Sequence, residues 1–238
     1  MKTNKFKNEC KSLFKTATNL IYPPQCICCH NPPINSYYPI CSSCLFSISP
    51  FSADLKELST IKHPQLSKMG KAITLGEHKD VLRKVILAFK QRNNMAAGTF
   101  LSYILANIIP VDWHTADFIT YVPSSNRSLK KRGFNPPQII ATTISQVCGI
   151  KLNLNILKKV KNTKKQALLS QVQRINNVRN AYKVNENLQN TKIIVIDDVL
   201  TTGATILSCC NALINKGGKI IGTAFFSYRP LFCTLPLS

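Results

Sequence analysis

Acidic residues are scarce in this chain. Its 238 residues include 10 Asp and Glu against 31 Lys and Arg, which gives a formal net charge of +21. This balance suggests polyanionic partners, meaning phosphorylated small molecules, nucleic acid or both, although a generally basic surface would show the same composition. Long apolar runs are lacking as well. Because no eighteen consecutive apolar residues occur, we expect no membrane span.

An export signal is not recognisable either. Residues 1–21 are basic, but they contain no continuous apolar stretch and no small-residue cleavage site, so they make a poor secretory signal. Apolar residues recur there at helical spacing, which favours a short amphipathic helix docked on the body over a helix at a membrane surface. The expected location is therefore the cytoplasm, where thiols stay reduced.

Familiar nucleotide motifs are also missing. The chain has no Walker A motif and no G-x-G-x-x-G, which weakens its interpretation as an ordinary nucleoside-triphosphate or dinucleotide binder. Its length and its apolar content of 45% suffice for one substantial α/β domain and a small appendage. We predict a basic helix and a cysteine cluster over residues 1–50, a polar connecting segment over 51–78 and the α/β domain over 79–238.

The α/β domain is predicted from its apolar patterns. The strand over residues 192–197, the helix after it and the strand over residues 219–228 form a βαβ unit, which implies a parallel sheet with a right-handed crossover. The other predicted elements are a helix from Val81, a helix over 95–109, a strand over 118–122, a loop over 124–135, a helix over 136–148 and a mobile basic loop over 158–180.

A candidate phosphate site lies in residues 194–205, where an apolar run meets two acids and then a Thr/Gly turn. In open α/β sheets, ligands bind beyond the carboxyl ends of the strands. The turn would offer hydroxyls, backbone N–H groups and the positive end of a helix dipole, and Gly203 would let the backbone approach a phosphate closely. Asp197 and Asp198 could accept hydrogen bonds from a ribose diol. The alternative is an acidic strand end whose threonines merely cap a helix.

Two basic segments could add to this site. Cations that follow the strand over 118–122 could neutralise a pyrophosphate bound with magnesium, although a solvated basic loop would look the same. Residues 158–179 could close over a ligand as a lid or contact a nucleic acid backbone. The candidate residues for the pyrophosphate and for these loops are Ser124, Ser125, Arg127, Arg132, Lys90, Arg92 and Arg174.

The cysteine cluster is typical of a structural zinc site. Cys26-x2-Cys29 and Cys41-x2-Cys44 are two knuckles separated by eleven residues, and four thiolates can close a tetrahedral site. Cys28 or His30 could replace Cys29 as a ligand, and free or disulfide-bonded cysteines are the alternative to a metal. The other cysteines are interpreted as small core residues: Cys10, Cys148, Cys209, Cys210 and Cys233.

Taken in order, these features resemble the ComF family, whose members are linked to natural transformation by DNA uptake. The resemblance covers nearly the whole chain. The motifs that carry it are the Pro-Pro-x-Cys knuckle pair, Phe89-Lys90-Gln91-Arg92, Val122-Pro123, Arg132-Gly133-Phe134-Asn135, Thr163-x-x-Gln166, Leu169, Arg174, Asn177, Ala181-Tyr182 and the string over residues 194–205.

The string over residues 194–205 is in turn similar to the motif by which type I phosphoribosyltransferases bind phosphoribosyl pyrophosphate (PRPP). The similarity implies that the two acids hold the ribose hydroxyls, as the catalytic pair, and that the Thr/Gly loop holds the 5′-phosphate. The implied PRPP-binding residues are Asp197, Asp198, Val199, Leu200, Thr201, Thr202, Gly203, Ala204 and Thr205.

The resemblance also implies a fold, cofactors and partners. The fold would be a type I phosphoribosyltransferase-like parallel sheet flanked by helices, with a small N-terminal zinc ribbon. Zn²⁺ would be structural, Mg²⁺ would accompany PRPP, and single-stranded DNA and a competence helicase would be partners. One hypothesis is phosphoribosyl transfer to a base nitrogen of an unknown acceptor, and the other is a non-catalytic PRPP sensor that binds DNA.

The chain departs from the family pattern at several positions. Gln91 stands where an aromatic residue is usual, Asn93-Asn94 where Gly-Asp is usual, Pro136 where Gln is usual, and Lys159 where Arg is common. The PRPP string is intact. The departures therefore concern the contacts made by the surrounding loops rather than the phosphate site.

Overall fold

A computed structural model describes residues 23–35, 38–48, 71–160 and 181–229. The strands are β1 (Lys71–Thr74), β2 (Phe118–Tyr121), β3 (Lys158–Lys159), β4 (Tyr182–Lys183), β5 (Lys192–Ile196), β6 (Val199–Leu200), β7 (Lys219–Phe225) and β8 (Ser227–Tyr228). The helices are α1 (Ser42–Ile48), α2 (Asp80–Arg92), α3 (Met95–Ala106), α4 (Asn126–Arg132), α5 (Pro136–Cys148) and α6 (Ala204–Ile214), with a 3₁₀ helix at Val111–Thr115.

Four parallel strands form the main sheet of the described chain, in the order β1-β7-β5-β2. After Lys192, the central strand β5 is apolar, with Ile193–Ile196 all buried, because both of its faces are covered. Ile194 and Ile196 lie in a core that includes residues of α2, α3 and α5, whereas Ile193 and Val195 lie in a second core with residues of α6. This alternation is the period-two pattern of a strand. The predicted parallel sheet is confirmed.

Helix α2 shows why the apolar stripe from Val81 predicted a helix. Leu82, Val85, Ile86 and Phe89 recur at helical spacing and are all buried. The basic side chains of the last turn lie at the negative end of the helix dipole. This end of α2 is the one that reaches the candidate site, so the packing of the stripe positions the candidate residue Lys90.

The predicted loop over residues 124–135 is wrong in its centre, where α4 forms. The side chain of Ser125 accepts a hydrogen bond from the Ser128 backbone N–H and caps the helix start. Gly133 adopts φ 79° and donates its N–H to the Leu129 carbonyl, which ends the helix. The seven residues between these caps have few apolar side chains, so the periodicity that usually reveals a helix is missing.

The predicted strand over residues 219–228 is divided in the structure. β7 ends at Phe225, and the Phe226 N–H donates to the Asp198 carbonyl oxygen at 3.0 Å. The chain then continues as β8, which pairs in parallel with β6 instead of extending the main sheet. The break between β7 and β8 thus coincides with a hydrogen bond to a residue 28 positions away in the chain. The apolar pattern of residues 219–228 could not show such a contact.

Strand β1 was not predicted. It lies in the segment over 51–78 and pairs with β7, with Lys71 opposite Gly222. Four residues are too few to show a clear alternation. The proposed domain boundaries stay a prediction, and the predicted N-terminal helix and most of the basic loop over 158–180 lie outside the described residues. In the described part of the chain, no helix is long and apolar enough to cross a membrane.

Candidate functional site

Two acids stand at the carboxyl end of the central strand β5. The Asp197 N–H donates to the Ala224 carbonyl at 3.1 Å, which continues the pairing of β5 with β7. The Asp197 Oδ1 accepts the Asp198 N–H at 2.8 Å. Main-chain bonds thus hold both acids at the edge of the sheet where ligands of α/β proteins bind.

The predicted Thr/Gly turn leads from β6 into α6. Gly203 occupies the N-cap position with φ 71°, a conformation that favours glycine. The turn therefore presents backbone N–H groups and the positive end of an eleven-residue helix next to the acids. Thr201, Gly203 and Thr205 line a cavity, while Thr202 and Ala204 are buried and do not line it.

This cavity has a volume of about 1170 Å³ and brings together segments from across the chain. Of the candidate residues outside the PRPP string, Lys90, Ser124, Ser125, Arg127 and Arg132 line it. Arg92 is exposed and does not line the cavity, and Arg174 lies outside the described residues. The lining side chains that were not among the candidates include His78, Lys130, Lys131, Lys159 and Arg229.

The last turn of α2 contributes a cation to the acid pair. Lys90 Nζ lies 2.6 Å from Asp198 Oδ2, and the two side chains are only 17% and 16% exposed. A short, mostly buried ion pair is a charge-assisted hydrogen bond that solvent screens weakly. Lys90 therefore holds the Asp198 carboxylate in place at the cavity wall.

Asp197 differs electrostatically from its neighbour. Burial, and next the negative charge of Asp198, raise the pKa of Asp197 to about 8, although its backbone hydrogen bond and the cations Lys90 and Lys159 act in the opposite direction. At neutral pH the ligand-free site then holds one proton on Asp197 and one carboxylate paired with Lys90. A cationic or hydroxyl-rich ligand that favours the ionised form would release that proton.

We expect this proton to make stability depend on pH. In the unfolded chain Asp197 should titrate near 3.8, and in the fold near about 8, so between these values only the folded chain keeps the proton. The contribution of Asp197 to the free energy of unfolding should therefore fall as the pH rises from about 4 to about 8, by up to about 1.4 kcal/mol per pH unit. His78, whose pKa is lowered in the fold, contributes the opposite slope between about pH 4 and 6.5 in both proteins. Urea unfolding across this range should therefore show the Asp197 slope in the difference between the wild type and Asp197→Asn. Parallel curves would contradict the raised pKa.

His78 was missed because it lies in the segment over 51–78, far in sequence from the PRPP string. Its Nδ1 is 2.8 Å from the hydroxyl of the buried Ser227, and its imidazole lines the cavity. Burial and the positive charges of Arg229, Lys90 and Arg83 lower the pKa of His78 to about 4. The imidazole is thus uncharged at neutral pH. The sequence shows no signal that would join this residue to the site.

The four predicted cysteine ligands converge. The sulfur atoms of Cys26, Cys29, Cys41 and Cys44 all lie within 4.8 Å of one another, and Cys29 Sγ is 3.5 Å from Cys41 Sγ. Four sulfurs about 2.3 Å from a central zinc ion would stand about 3.8 Å apart. The donor set and its spacing therefore fit a metal ion such as zinc.

Cys28 is not part of this cluster. Its Sγ points to the Val81 carbonyl of α2, at 3.9 Å, and its own carbonyl accepts a hydrogen bond from Lys84 Nζ at 3.2 Å. The first knuckle thus docks on α2, the helix that carries Lys90. His30 is exposed, with φ 65°, and does not belong to the cluster either.

Cys26 is the cluster cysteine whose surroundings favour a thiolate. Burial tends to raise the pKa of Cys26, but hydrogen bonds from the backbone N–H groups of Cys41, Cys28 and Cys29 outweigh it and lower the value to about 6. Hydrogen bonds to the charged form stabilise a thiolate, which is the form that ligates metals. Burial and hydrogen bonds with the neighbouring cysteines raise the pKa of Cys44, so this preference belongs to Cys26 and not to the whole cluster.

Comparisons with known proteins agree with this geometry. The phosphoribosyl transferase domain family matches residues 128–231. The DNA utilization protein YhgH of Salmonella typhimurium is 23% identical over 217 residues, covering 85% of this chain and 96% of that protein. Competence protein F of Haemophilus influenzae is 28% identical over 144 residues, covering 57% of this chain and 63% of that protein. The chain belongs to the ComF family.

This ComF-family protein has the type I phosphoribosyltransferase fold, since the matched domain comprises α5, α6, the central strand β5 and β7 of a parallel sheet flanked by helices. Its N-terminal cysteine cluster is compatible with a zinc ribbon. Orotate phosphoribosyltransferase from Aeropyrum pernix superposes with a TM-score of 0.38 and 16% identity, covering 62% of this chain and 64% of that one. So low a score adds nothing to the assignment.

Proposed function

We propose that this ComF-family protein binds PRPP together with Mg²⁺ in the cavity at the carboxyl end of β5. One observation carries the proposal: the acid pair and the Thr/Gly turn open into the same cavity as the basic segment after β2. A ligand there would meet hydroxyl acceptors, phosphate donors and cations at once. PRPP carries a ribose diol, a 5′-phosphate and a pyrophosphate, which require these three kinds of group.

The ribose would lie against the acids. Asp198, held by Lys90, and Asp197 would accept hydrogen bonds from the two ribose hydroxyls, and such charge-assisted bonds are among the stronger ones. The 5′-phosphate would lie at the turn over residues 201–205, where N–H groups and the α6 dipole favour an anion. The sheet holds both contacts rigidly, which lowers the entropic cost of binding.

The pyrophosphate would lie on the side of β2. Ser124 and Ser125 line the cavity there, and Arg127 and Arg132 of α4 supply charge. Carboxylate oxygens are ligands that Mg²⁺ accepts, and this ion usually retains phosphate and water ligands as well, so Asp197 and Asp198 fit a magnesium ion that arrives with the ligand. Magnesium would neutralise charge on the pyrophosphate.

Phosphoribosyl transfer is the reaction that such a site could support. A nitrogen of an acceptor would form a bond to C1′ of the ribose as the bond from C1′ to the pyrophosphate oxygen breaks. The pyrophosphate would leave with the electron pair, and the nitrogen would lose its proton to solvent. The protein would contribute fixed positions and positive charge near the leaving group. A PRPP sensor without transfer is the alternative.

Calorimetric titration of the zinc-loaded protein with PRPP, in magnesium and at moderate salt, tests the proposal. We expect saturable binding that is tighter than the binding of ribose 5-phosphate or pyrophosphate alone, because only PRPP engages both ends of the cavity. Absence of PRPP binding by a folded protein would overturn the proposal. Release of pyrophosphate that requires an added base would then separate a transferase from a sensor.

Binding of single-stranded DNA is a second candidate, favoured by α4. This helix has no buried residue and contains no acid, and four of its cations line the cavity: Arg127, Lys130, Lys131 and Arg132. Two relatives are also named for DNA utilization and for competence. Clustered cations at an open edge can neutralise successive phosphates.

The DNA candidate predicts a steep dependence on salt. The logarithm of the affinity for an oligothymidylate should fall linearly with the logarithm of the salt concentration, with a slope of about −0.7 per phosphate neutralised. Lys130→Ala with Lys131→Ala should reduce the magnitude of the slope by about one to two, as measured by fluorescence anisotropy. Lys216→Ala with Lys219→Ala, which removes two exposed cations that do not line the cavity, is the matched control. Equal slopes in both variants would contradict a role for α4.

A further inference from the structure

The strand order divides the cavity into two halves. In the order β1-β7-β5-β2, the acids and the Thr/Gly turn follow the central strand β5, and α4 with its cations follows β2 on one side. The segments after β7 and β1 lie on the other side. They contribute His78 and Arg229, and α2 adds Leu87. We call these three residues the far wall, and neither PRPP nor DNA contacts are assigned to it.

Main-chain hydrogen bonds hold the far wall in place. The Tyr228 N–H donates to the Gly76 carbonyl at 3.0 Å, and the His78 N–H donates to the Tyr228 carbonyl at 2.7 Å. The Arg229 N–H donates to the Leu200 carbonyl at 2.8 Å, and β8 pairs with β6 immediately after the acids. The far wall is thus fastened both to the start of α2 and to the strand that enters the Thr/Gly turn. Its distance from the acid pair is set by the fold.

The chemistry of the far wall differs from that of the α4 side. His78 is bound to Ser227 through Nδ1, which leaves Nε2 as the ring nitrogen available to a ligand, and the imidazole is uncharged. Leu87 offers an apolar side chain to the same cavity. Arg229 provides planar donors and no acceptor. An apolar side chain, one neutral ring nitrogen and a set of donors suit a heterocycle better than another phosphate.

The size of the cavity also allows a second ligand. Its volume of about 1170 Å³ exceeds the roughly 300–1,000 Å³ typical of pockets for one small molecule. The phosphate and pyrophosphate groups of PRPP would take the turn and the α4 side. The far wall then borders the remaining space next to the acids, where C1′ of a ribose held by them could face it.

We propose that the far wall binds the phosphoribosyl acceptor and that this acceptor is a planar heterocycle bearing carbonyl oxygens, of the oxo-purine or oxo-pyrimidine class. The inference rests on the proposed PRPP site. Arg229 would donate to a carbonyl oxygen, His78 would pair with a ring N–H or carbonyl through Nε2, and Leu87 would pack against one face of the ring. An amino group in place of the carbonyl would point its donors at the donors of Arg229, which is unfavourable.

Binding of nucleoside monophosphates tests this assignment, because they carry ribose 5-phosphate and the heterocycle in one molecule. The ratio of the dissociation constants of ribose 5-phosphate and of a monophosphate reports what the base adds. In the wild type we expect IMP or UMP to bind at least about tenfold tighter than ribose 5-phosphate, and AMP to gain less. In His78→Ala and in Arg229→Met, the ratio of the dissociation constants should approach one for all three monophosphates, IMP, UMP and AMP.

Arg83→Met is the matched control. Arg83 is an exposed cation of α2 near His78 that does not line the cavity, so its loss should leave the ratio as in the wild type. Three results would overturn the acceptor assignment. The ratio could be near one in the wild type, AMP could gain more affinity over ribose 5-phosphate than IMP or UMP, or the gain could persist in both far-wall variants. If ribose 5-phosphate and PRPP both fail to bind, the proposed PRPP site itself is wrong. Circular dichroism of each variant verifies that it folds.

Discussion

Replacing both acids, Asp197→Asn with Asp198→Asn, is expected to weaken PRPP binding by about 100-fold or more while the fold persists. Each hydrogen bond to a charged group contributes about 1.5–3 kcal/mol, and the double variant leaves uncharged amide oxygens where the ribose would otherwise meet two carboxylates once the Asp197 proton is released. The fold should survive because the main-chain bonds of both positions are independent of the side-chain charge. Asp197→Asn also removes a buried carboxyl that is costly to ionise. Calorimetry and thermal unfolding measure the two effects separately.

A charge-matched control is available for this experiment. Asp112→Asn with Glu186→Gln removes two carboxylates that are exposed and do not line the cavity. It should leave PRPP affinity within about threefold of the wild type, because exposed charges at a distance are screened by salt. Equal affinities in a folded Asp197/Asp198 double variant and in the wild type would remove the acid pair from the proposed site.

Loss of a cluster cysteine is expected to have the second large effect. Cys29→Ser should lower the bound zinc from about one ion per chain to near zero, because a structural site needs all four sulfurs. The melting temperature should fall by about 10 °C, since the energy of metal binding is also folding energy. The expected loss of stability extends beyond the two knuckles to the α/β domain, because Cys26 and Cys44 share one hydrophobic core with Phe89 of α2. Zinc analysis of the purified protein and calorimetric melting check both expectations.

The neighbouring cysteine provides the control. Cys28→Ser changes the same atom one position earlier, but its sulfur faces the Val81 carbonyl instead of the cluster. This variant should keep its zinc. Zinc loss in Cys28→Ser together with retention in Cys29→Ser would show that Cys28 is the ligand and that the geometry described here is wrong.

Parts of the fold were predictable because they depend on contiguous residues. The stripe of α2, the helix that starts at Pro136-Pro137 and the buried strand before Asp197 all appear where the apolar spacing placed them. In each case the side chains that define the pattern also form the core. Helix α4 escaped prediction because its ends are set by capping hydrogen bonds and its faces carry few apolar residues.

The candidate site also has one part that the sequence predicts and another part that depends on contacts between distant segments. The acids and the Thr/Gly turn lie in one uninterrupted segment, so the order of residues alone brings them to the end of a strand and the start of a helix. Lys90 was a candidate, but its partner was not predictable. Its 2.6 Å ion pair with Asp198 joins residues more than 100 positions apart.

What the sequence determined by itself is the local chemistry: a strand with two acids at its end, a Thr/Gly turn that opens a helix and two cysteine knuckles, because each of these is encoded within a short stretch of chain. Only the tertiary structure decided which cysteine of the first knuckle faces the cluster, that burial raises the pKa of Asp197, and that His78 and Arg229 face the same cavity. Those properties depend on burial and on contacts between distant segments. Both arise when the sheet orders its strands, and no single stretch of sequence contains them.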